Sequence, residues 1–223
     1  GMYSGGTVEG CVNKGKVTSN KNQVNRLGGI VGTVNSGKLS VINCTNSGAC
    51  TISRTKANAN WQACGGIIGF QEKSDSFTLE NCTNSGKVTV AMENNTDHNN
   101  GVTAGGIIGL GVLNVATKGN TNTADVTVNV TGMAKAVAYA GGIGGWFQAA
   151  SVKSEGDKSK CTVTLSAPSA GASAAGAALG CNAGSVKNPA IGGSVNGTEV
   201  TESNVATIAV GSGTAAEGAT LYK

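Results

Sequence analysis

Proline, aromatic residues and charge are all scarce in this chain. Of its 223 residues only two are proline, 4% are aromatic and 13% are charged, whereas about a quarter of an ordinary globular domain is charged. No apolar run is long enough to predict a membrane-spanning helix. Although the net charge is +4, lysine and arginine are scattered, so the sequence shows no nucleic-acid footprint.

The sequence also lacks the usual patterns of reactive sites. It has one histidine and no Cys-x-x-Cys spacing, which argues against zinc. No Gly-x-Gly-x-x-Gly run in a βαβ pattern occurs in the sequence, which argues against a nucleotide. The acidic residues are dispersed, and the closest pair, Glu155 and Asp157, lies in a lysine-rich turn where we expect both to be solvated. We therefore predict no catalytic residue, no metal and no cofactor.

Glycine, in contrast, is abundant, with 36 residues, and it marks an internal repeat. The motif Gly-Gly-Ile-Val/Ile-Gly recurs with its first glycine at positions 28, 65, 105, 141 and 176, the last copy being degraded. The steps of 37, 40, 36 and 35 residues are typical of solenoids and propellers. Short runs rich in Val, Ile and Thr lie between the motifs and predict β-strands.

A unit of this size cannot bury its apolar face alone, whereas stacked copies can. The repeat therefore predicts an all-β fold, a right-handed parallel β-helix (solenoid) of about five to six coils with three short strands per coil. Its hand follows from the general preference of parallel connections, and a β-propeller or a β-sandwich is the alternative. Residues 1–197 would form the repeat domain, and 198–223 a terminal coil, cap or linker to a following domain. Other domains of a longer protein would flank the solenoid, because an uncapped end exposes edge strands.

Equivalent positions of the repeat predict ladders of side chains. One interior row would hold Ile30, Ile67, Ile107 and Ile143. The residues after the motif would stack as Thr33, Phe70, Leu110, Trp146 and Cys181. A row of inner aliphatic residues would be Val8, Val41, Leu79, Val115, Val152 and Val186. An outward column would be Thr18, Thr51, Thr89, Thr127 and Thr162.

Cysteine follows the repeat as well. Cys11, Cys44 and Cys82 share one position, and Cys50 and Cys161 take a position that valine fills elsewhere. Alternation with valine is typical of a small buried hydrophobe. We therefore expect reduced, buried thiols, with one or more disulfides as the open alternative.

Three segments that vary in length and sequence predict a binding edge. They fall between the third strand and the next Gly-Gly, so they would protrude from one edge of the rod. The three segments are 53–63, 91–103 and 131–140. Candidate partner contacts are Asn60 and Trp61 in the first segment and Asp97 and His98 in the second. Trp61 could stack on a sugar, or it could fold back over the edge of the coil; His98 could be a partner contact or simply solvated.

The glycine motif, followed by Asn-Cys-Thr-Asn-Ser-Gly and a short strand, resembles the GLUG-type repeats of bacterial adhesins and large secreted IgA-cleaving peptidases. The resemblance extends to about Gly197, with Ile-Val or Ile-Ile standing where the family has Leu-Val. It implies a secreted or cell-surface module, on the outer surface of a Gram-negative bacterium, with an adhesion role and a host or matrix glycan or protein as partner. It carries over no catalytic residue.

Three functions therefore stay open from the sequence. The first is a non-catalytic adhesive module that binds a glycan or protein through its edge loops. The second is a polysaccharide-processing β-helix enzyme, a lyase or hydrolase, which needs acidic or basic side chains converging on one groove. The third is an ice- or mineral-binding surface built from the outward threonines.

Overall fold

A computed structural model describes most of the chain. The described residues are 2–20, 25–54, 61–72, 76–92, 101–112, 115–131, 137–147, 153–168, 172–182, 185–187, 193–204 and 211. Every regular element among them is a β-strand, and the strands form five sheets. The all-β prediction is therefore confirmed.

The sheets are numbered here in the order in which the chain visits them from β2 onward. Sheet 1 contains β2 (Gly6–Glu9), β7 (Lys38–Ile42), β12 (Ser76–Glu80), β17 (Val115–Lys118), β22 (Lys153–Glu155) and β27 (Ser185–Lys187). Sheet 2 contains β3 (Val12–Asn13), β8 (Thr45–Asn46), β13 (Thr83–Asn84), β18 (Thr121–Asn122) and β23 (Lys158–Ser159). Sheet 3 contains β4 (Val17–Ser19), β9 (Cys50–Arg54), β14 (Val88–Met92), β19 (Val126–Val130), β24 (Thr162–Ser166), β28 (Ser194–Val195) and β29 (Thr198–Glu199). Sheet 4 contains β5 (Asn25–Gly28), β10 (Gln62–Gly65), β15 (Val102–Gly105), β20 (Val137–Gly141) and β25 (Ala172–Gly176). Sheet 5 contains β1 (Met2–Tyr3), β6 (Val31–Val34), β11 (Ile68–Gln71), β16 (Ile108–Gly111), β21 (Gly144–Phe147) and β26 (Leu179–Asn182).

Successive turns of the chain stack in register, so the fold is a parallel β-solenoid. The first glycine of each motif pairs with the first glycine of the next, which gives four turns between Gly28 and Gly176. The pairing is parallel throughout the described strands except for β28 with β29, which form an antiparallel hairpin.

Each turn has five short strands, so the prediction of three per coil is wrong. The Gly-Gly motif divides one apparent strand into two, because the chain reverses between Gly65 and Ile68. The Thr-Asn pair of Asn-Cys-Thr-Asn-Ser-Gly forms a further strand of only two residues, too short to show a period in the sequence.

The predicted isoleucine row is confirmed. The N–H of Ile30 donates to the carbonyl oxygen of Ile67 at 3.1 Å, that of Ile67 to Ile107 at 2.9 Å, and that of Ile107 to Ile143 at 2.9 Å. Ile67, Ile107 and Ile143 are fully buried, and Ile30 packs against the same core. The core that holds this row lies between sheets 5 and 1, and a second core lies between sheets 3 and 4.

A buried asparagine ladder faces the Gly-Gly corner and explains why the corner has no side chain. Asn46 Nδ2 donates to Asn84 Oδ1 at 2.8 Å, and Asn84 Nδ2 donates to Asn122 Oδ1 at 2.8 Å. A Cβ on Gly66 would lie 2.3 Å from Asn84 Cγ and 2.1 Å from Gly106 O. The corner therefore needs glycine because the neighbouring backbone and the asparagine side chain approach too closely to leave room for a Cβ. The turn preceding Asn84 begins with Asn81 at a φ of 51°, in the left-handed region that asparagine tolerates.

Candidate functional site

The chain leaves sheet 3 and re-enters sheet 4 along one edge of the solenoid, called here the loop edge. At the exit, Arg54 pairs with Met92, and Met92 pairs with Val130. At the re-entry, Gln62 pairs with Val102, which pairs in turn with Ala138 on the following strand. Since paired rungs are about 4.8 Å apart, the roots of the three variable segments stack in one line.

An aromatic cluster packs between sheets 4 and 5 at the roots of these segments. The rings of Trp61 and Trp146 have centroids 4.8 Å apart, and Tyr139 meets Trp146 edge-on at 5.1 Å. A Cβ on Gly101 would lie 1.7 Å from Trp61 Cζ3, so the Trp61 ring fills the space beside that glycine. The cluster comprises Trp61, Ala63, Phe70, Leu110, Val137, Tyr139, Trp146 and Ala174.

A cation also contacts this cluster. The Arg26 guanidinium lies 4.2 Å from the Phe70 ring centroid, and its Nη1 is 2.9 Å from Glu72 Oε2. The side chains of Arg26 and Glu72 are 18% and 15% exposed, so the pair is partly shielded from solvent. Arg26 therefore combines a cation–π contact with an ion pair at the side of the cluster.

The predicted contact residues divide into two groups. Trp61 is 2% exposed, which corresponds to the alternative in which it folds back over the coil edge, and its ring packs against Trp146 at an interplanar angle of 45°. Asn60, Asp97 and His98 lie outside the described residues. Trp146 stacks in the predicted column, since it pairs with Leu110, and Leu110 pairs with Phe70 one turn earlier.

The thiols that the structure describes are packed groups with one exception. Cys44, Cys50, Cys64, Cys82 and Cys161 are buried, whereas Cys11 is exposed. Burial raises the pKa of Cys50 to about 11 and that of Cys82 to about 12. The buried thiols are therefore protonated and poor nucleophiles near neutral pH.

The predicted position of Cys161 is wrong. Cys50 pairs with Val17 and Val88 as predicted, but Val126 pairs with Val163. Cys161 instead lies at the Asn ladder, where its Sγ accepts a hydrogen bond from Asn122 Nδ2 at 3.2 Å.

Asp157 is a buried acid, so its predicted solvation is wrong, although Glu155 is exposed as expected. Its Oδ1 accepts hydrogen bonds from the backbone N and Nδ2 of Asn120, both at 2.8 Å. Its Oδ2 accepts from Thr117 Oγ1 and Ser154 Oγ, both at 2.6 Å. Four donors thus satisfy both carboxylate oxygens, and the group stabilises the corner rather than facing a substrate.

The sequence missed this polar cluster because the inner row was assigned wrongly. The row contains Thr117 and Ser154 where Val115 and Val152 were predicted, since Leu79 pairs with Thr117 and Thr117 with Ser154. Val115 instead pairs with Phe77. The Thr117 hydroxyl therefore reaches the Asp157 carboxylate from the preceding turn, and the Ser154 hydroxyl reaches it from the same turn.

The outward threonines form two separate surfaces. On sheet 3 the column is Thr18, Thr51, Thr89, Thr127 and Thr164; Thr162, which was predicted in this column, pairs with Ser194. On sheet 2 the hydroxyls form two parallel columns. Thr45, Thr83 and Thr121 pair in one, and the second, two residues on, holds Ser47, Ser85 and Thr123.

Neither a metal cluster nor a membrane helix is found in the described part of the chain. No group of three or more His, Cys, Asp or Glu side chains is placed to hold a metal ion there. No described element is a helix with the length and hydropathy to cross a membrane. No family model matches the chain, and neither a curated protein nor a solved structure matches it.

Proposed function

We propose that this chain is a non-catalytic β-solenoid module of a secreted or cell-surface bacterial protein, and that it binds a glycan or protein partner through the loop edge. The observation that carries the proposal is the in-register stacking of exit and re-entry points at that edge. The stacked roots are the points where three dissimilar segments leave and re-enter the solenoid, and insertions on one side of a solenoid commonly form its binding face. The resemblance to GLUG-type repeats supports the adhesive role and the extracellular location.

The packing of the roots changes which residues we propose as partner contacts. Trp61 is buried against Trp146, so we assign it to holding the first segment in place. Direct contact then falls to Asn60, Asp97 and His98. The solenoid itself would be right-handed, like nearly all parallel crossover connections, and would extend to about five or six coils when the partial turns at both ends are included.

A panel of glycans and extracellular-matrix proteins tests the proposal. We expect the wild-type chain to bind at least one member, and the Asp97→Ala/His98→Ala variant to bind it at least about tenfold more weakly, as for loss of one or two polar contacts. Thr78→Ala, on the outward face of sheet 1, is the matched control and should bind like wild type. Binding that survives the loop change but is lost with Thr78→Ala would overturn the assignment, as would binding to no member of the panel.

The hydroxyl columns of sheet 2 favour a second candidate function, recognition of an ordered surface such as ice or a mineral. The two columns have three rungs each, about 4.8 Å apart along the stack, and the second column lies just beyond the strands of sheet 2. Replacing Thr83 with Val removes a central hydroxyl and keeps the shape. If the array binds ice, the wild-type chain shows thermal hysteresis and the variant loses most of it; the absence of hysteresis in the wild type removes ice as the ligand.

A further inference from the structure

Three thiols stack in one column at the corner between sheets 1 and 2. The backbone N–H of Thr45 donates to Cys11 O at 2.8 Å, and that of Thr83 donates to Cys44 O at 2.8 Å. Cys11, Cys44 and Cys82 therefore occupy the same position in three successive turns. Cys44 and Cys82 are 0% exposed, whereas Cys11 is exposed.

Neighbouring members of this column are close enough to cross-link. Adjacent parallel strands lie about 4.8 Å apart, and disulfides join Cα atoms that are about 4.4–6.8 Å apart. Cys44 Sγ lies 3.6 Å from Val8 O, so it is directed toward the turn that contains Cys11. Cys82 Sγ lies 3.4 Å from Cys44 N, in the equivalent position one turn later.

The column contains two neighbouring pairs, Cys11 with Cys44 and Cys44 with Cys82, which differ in solvent exposure and in how tightly they are packed. Cys44 and Cys82 are both buried, and described turns pack on both sides of them. Cys11 belongs to the first turn, whose described residues 4–20 are all exposed or half-buried. Since disulfide Cβ atoms are about 3.8 Å apart, less than the strand spacing, a small approach is needed, and the exposed first turn can make it.

We propose that Cys11 and Cys44 form a disulfide when the protein meets a low-molecular-weight disulfide. The Cys11 thiolate attacks one sulfur of the oxidant, forming a mixed disulfide and releasing one thiol. Cys44 then loses its proton, which its raised pKa makes slow near neutral pH, and the resulting thiolate attacks the Cys11 sulfur and releases the second thiol. The protein loses two hydrogen atoms as it is oxidised, and the oxidant is reduced to two thiols. The bond connects the first turn of the solenoid covalently to the second.

Tryptic mapping under non-reducing conditions identifies the bond. Cys11 falls in peptide 1–14, Cys44 in peptide 39–54 and Cys82 in peptide 74–87. Peptide 39–54 also contains Cys50, so the experiment uses a Cys50→Val background, which keeps the valine found at this position in adjacent turns. After incubation with oxidised glutathione and alkylation of free thiols, we expect peptides 1–14 and 39–54 to be joined.

Two variants and a stability measurement complete the test. Cys11→Ser should abolish the cross-link, and Cys82→Ser should leave it intact. The oxidised protein should unfold at a higher temperature than its reduced form, and the difference should vanish in Cys11→Ser. A link between 39–54 and 74–87 in place of 1–14 would overturn the proposal, and so would recovery of Cys11 only as the free thiol or glutathione adduct.

Discussion

The asparagine ladder predicts a large difference between two substitutions of the same residue type. Asn84 is fully buried and makes four hydrogen bonds. Its Oδ1 accepts from Asn46 Nδ2 at 2.8 Å and from Gly86 N at 3.2 Å, and its Nδ2 donates to Gly86 O at 2.9 Å and to Asn122 Oδ1 at 2.8 Å. Asn84→Ala removes all four and leaves both backbone groups of Gly86 without their side-chain partner. Two buried groups at about 1–3 kcal/mol each give a loss of roughly 2–6 kcal/mol in the free energy of unfolding.

Asn13 provides the matched control, because it begins the same ladder at the exposed first turn. It makes the same contacts within its turn, through Oδ1 from Gly15 N and Nδ2 to Gly15 O, and donates to Asn46 Oδ1 at 2.7 Å. Water can replace these partners in Asn13→Ala, so we expect a loss below about 1 kcal/mol. Urea unfolding followed by circular dichroism measures both. Equal losses in the two variants would refute the view that burial of the ladder stabilises the fold.

Two further predictions concern the corner and the thiols. Gly66→Ala places a Cβ within 2.1 Å of a backbone oxygen, so we expect it to lower the free energy of unfolding in urea by at least about 3 kcal/mol. Gly15→Ala is the control and should be nearly neutral, because its Cβ would have its nearest contact at 3.7 Å. Equal effects of the two substitutions would contradict the close approach at the corner. The raised pKa of Cys82 means that the folded state retains a proton that the unfolded state loses, so the stability from this group is complete below the ordinary pKa of 9.0 and declines as pH rises toward about 12. Urea midpoints at pH 8 and pH 11 should therefore differ less in Cys82→Ser than in wild type, and an unchanged pH response in that variant would contradict this account.

The side-chain rows that lie within or next to a short motif of constant length were predicted correctly from the sequence. The isoleucine row, the Phe70 column and the column of Cys11, Cys44 and Cys82 lie within or beside motifs of constant spacing, so alignment of the copies placed them correctly. The environment of Trp61 was harder to predict from the sequence, because this side chain packs against Trp146, two turns away. No local pattern in the sequence connects these two rings.

The wrongly assigned positions in the side-chain rows share one physical cause, a slip of two residues. Cys161 was placed where Val163 lies, Thr162 where Thr164 lies, and Val115 where Thr117 lies. Side chains alternate between the two faces of a strand with a period of two. A slip of one residue would invert the pattern and be noticed, whereas a slip of two keeps it and is invisible to periodicity.

Asp157 is the buried acid that an enzyme hypothesis would examine first, but Thr117, Ser154 and Asn120 occupy both of its oxygens. A general acid or base needs a lone pair or proton within reach of a substrate, and a carboxylate with four internal donors has neither available. Thr117, Ser154 and Asn120 occupy positions that valine, leucine and cysteine fill in earlier turns. They stabilise the interior there through hydrogen bonds instead of apolar packing. These inward positions therefore serve stability, and the segments that leave sheet 3 at the loop edge are where the sequence can vary without disturbing the stack.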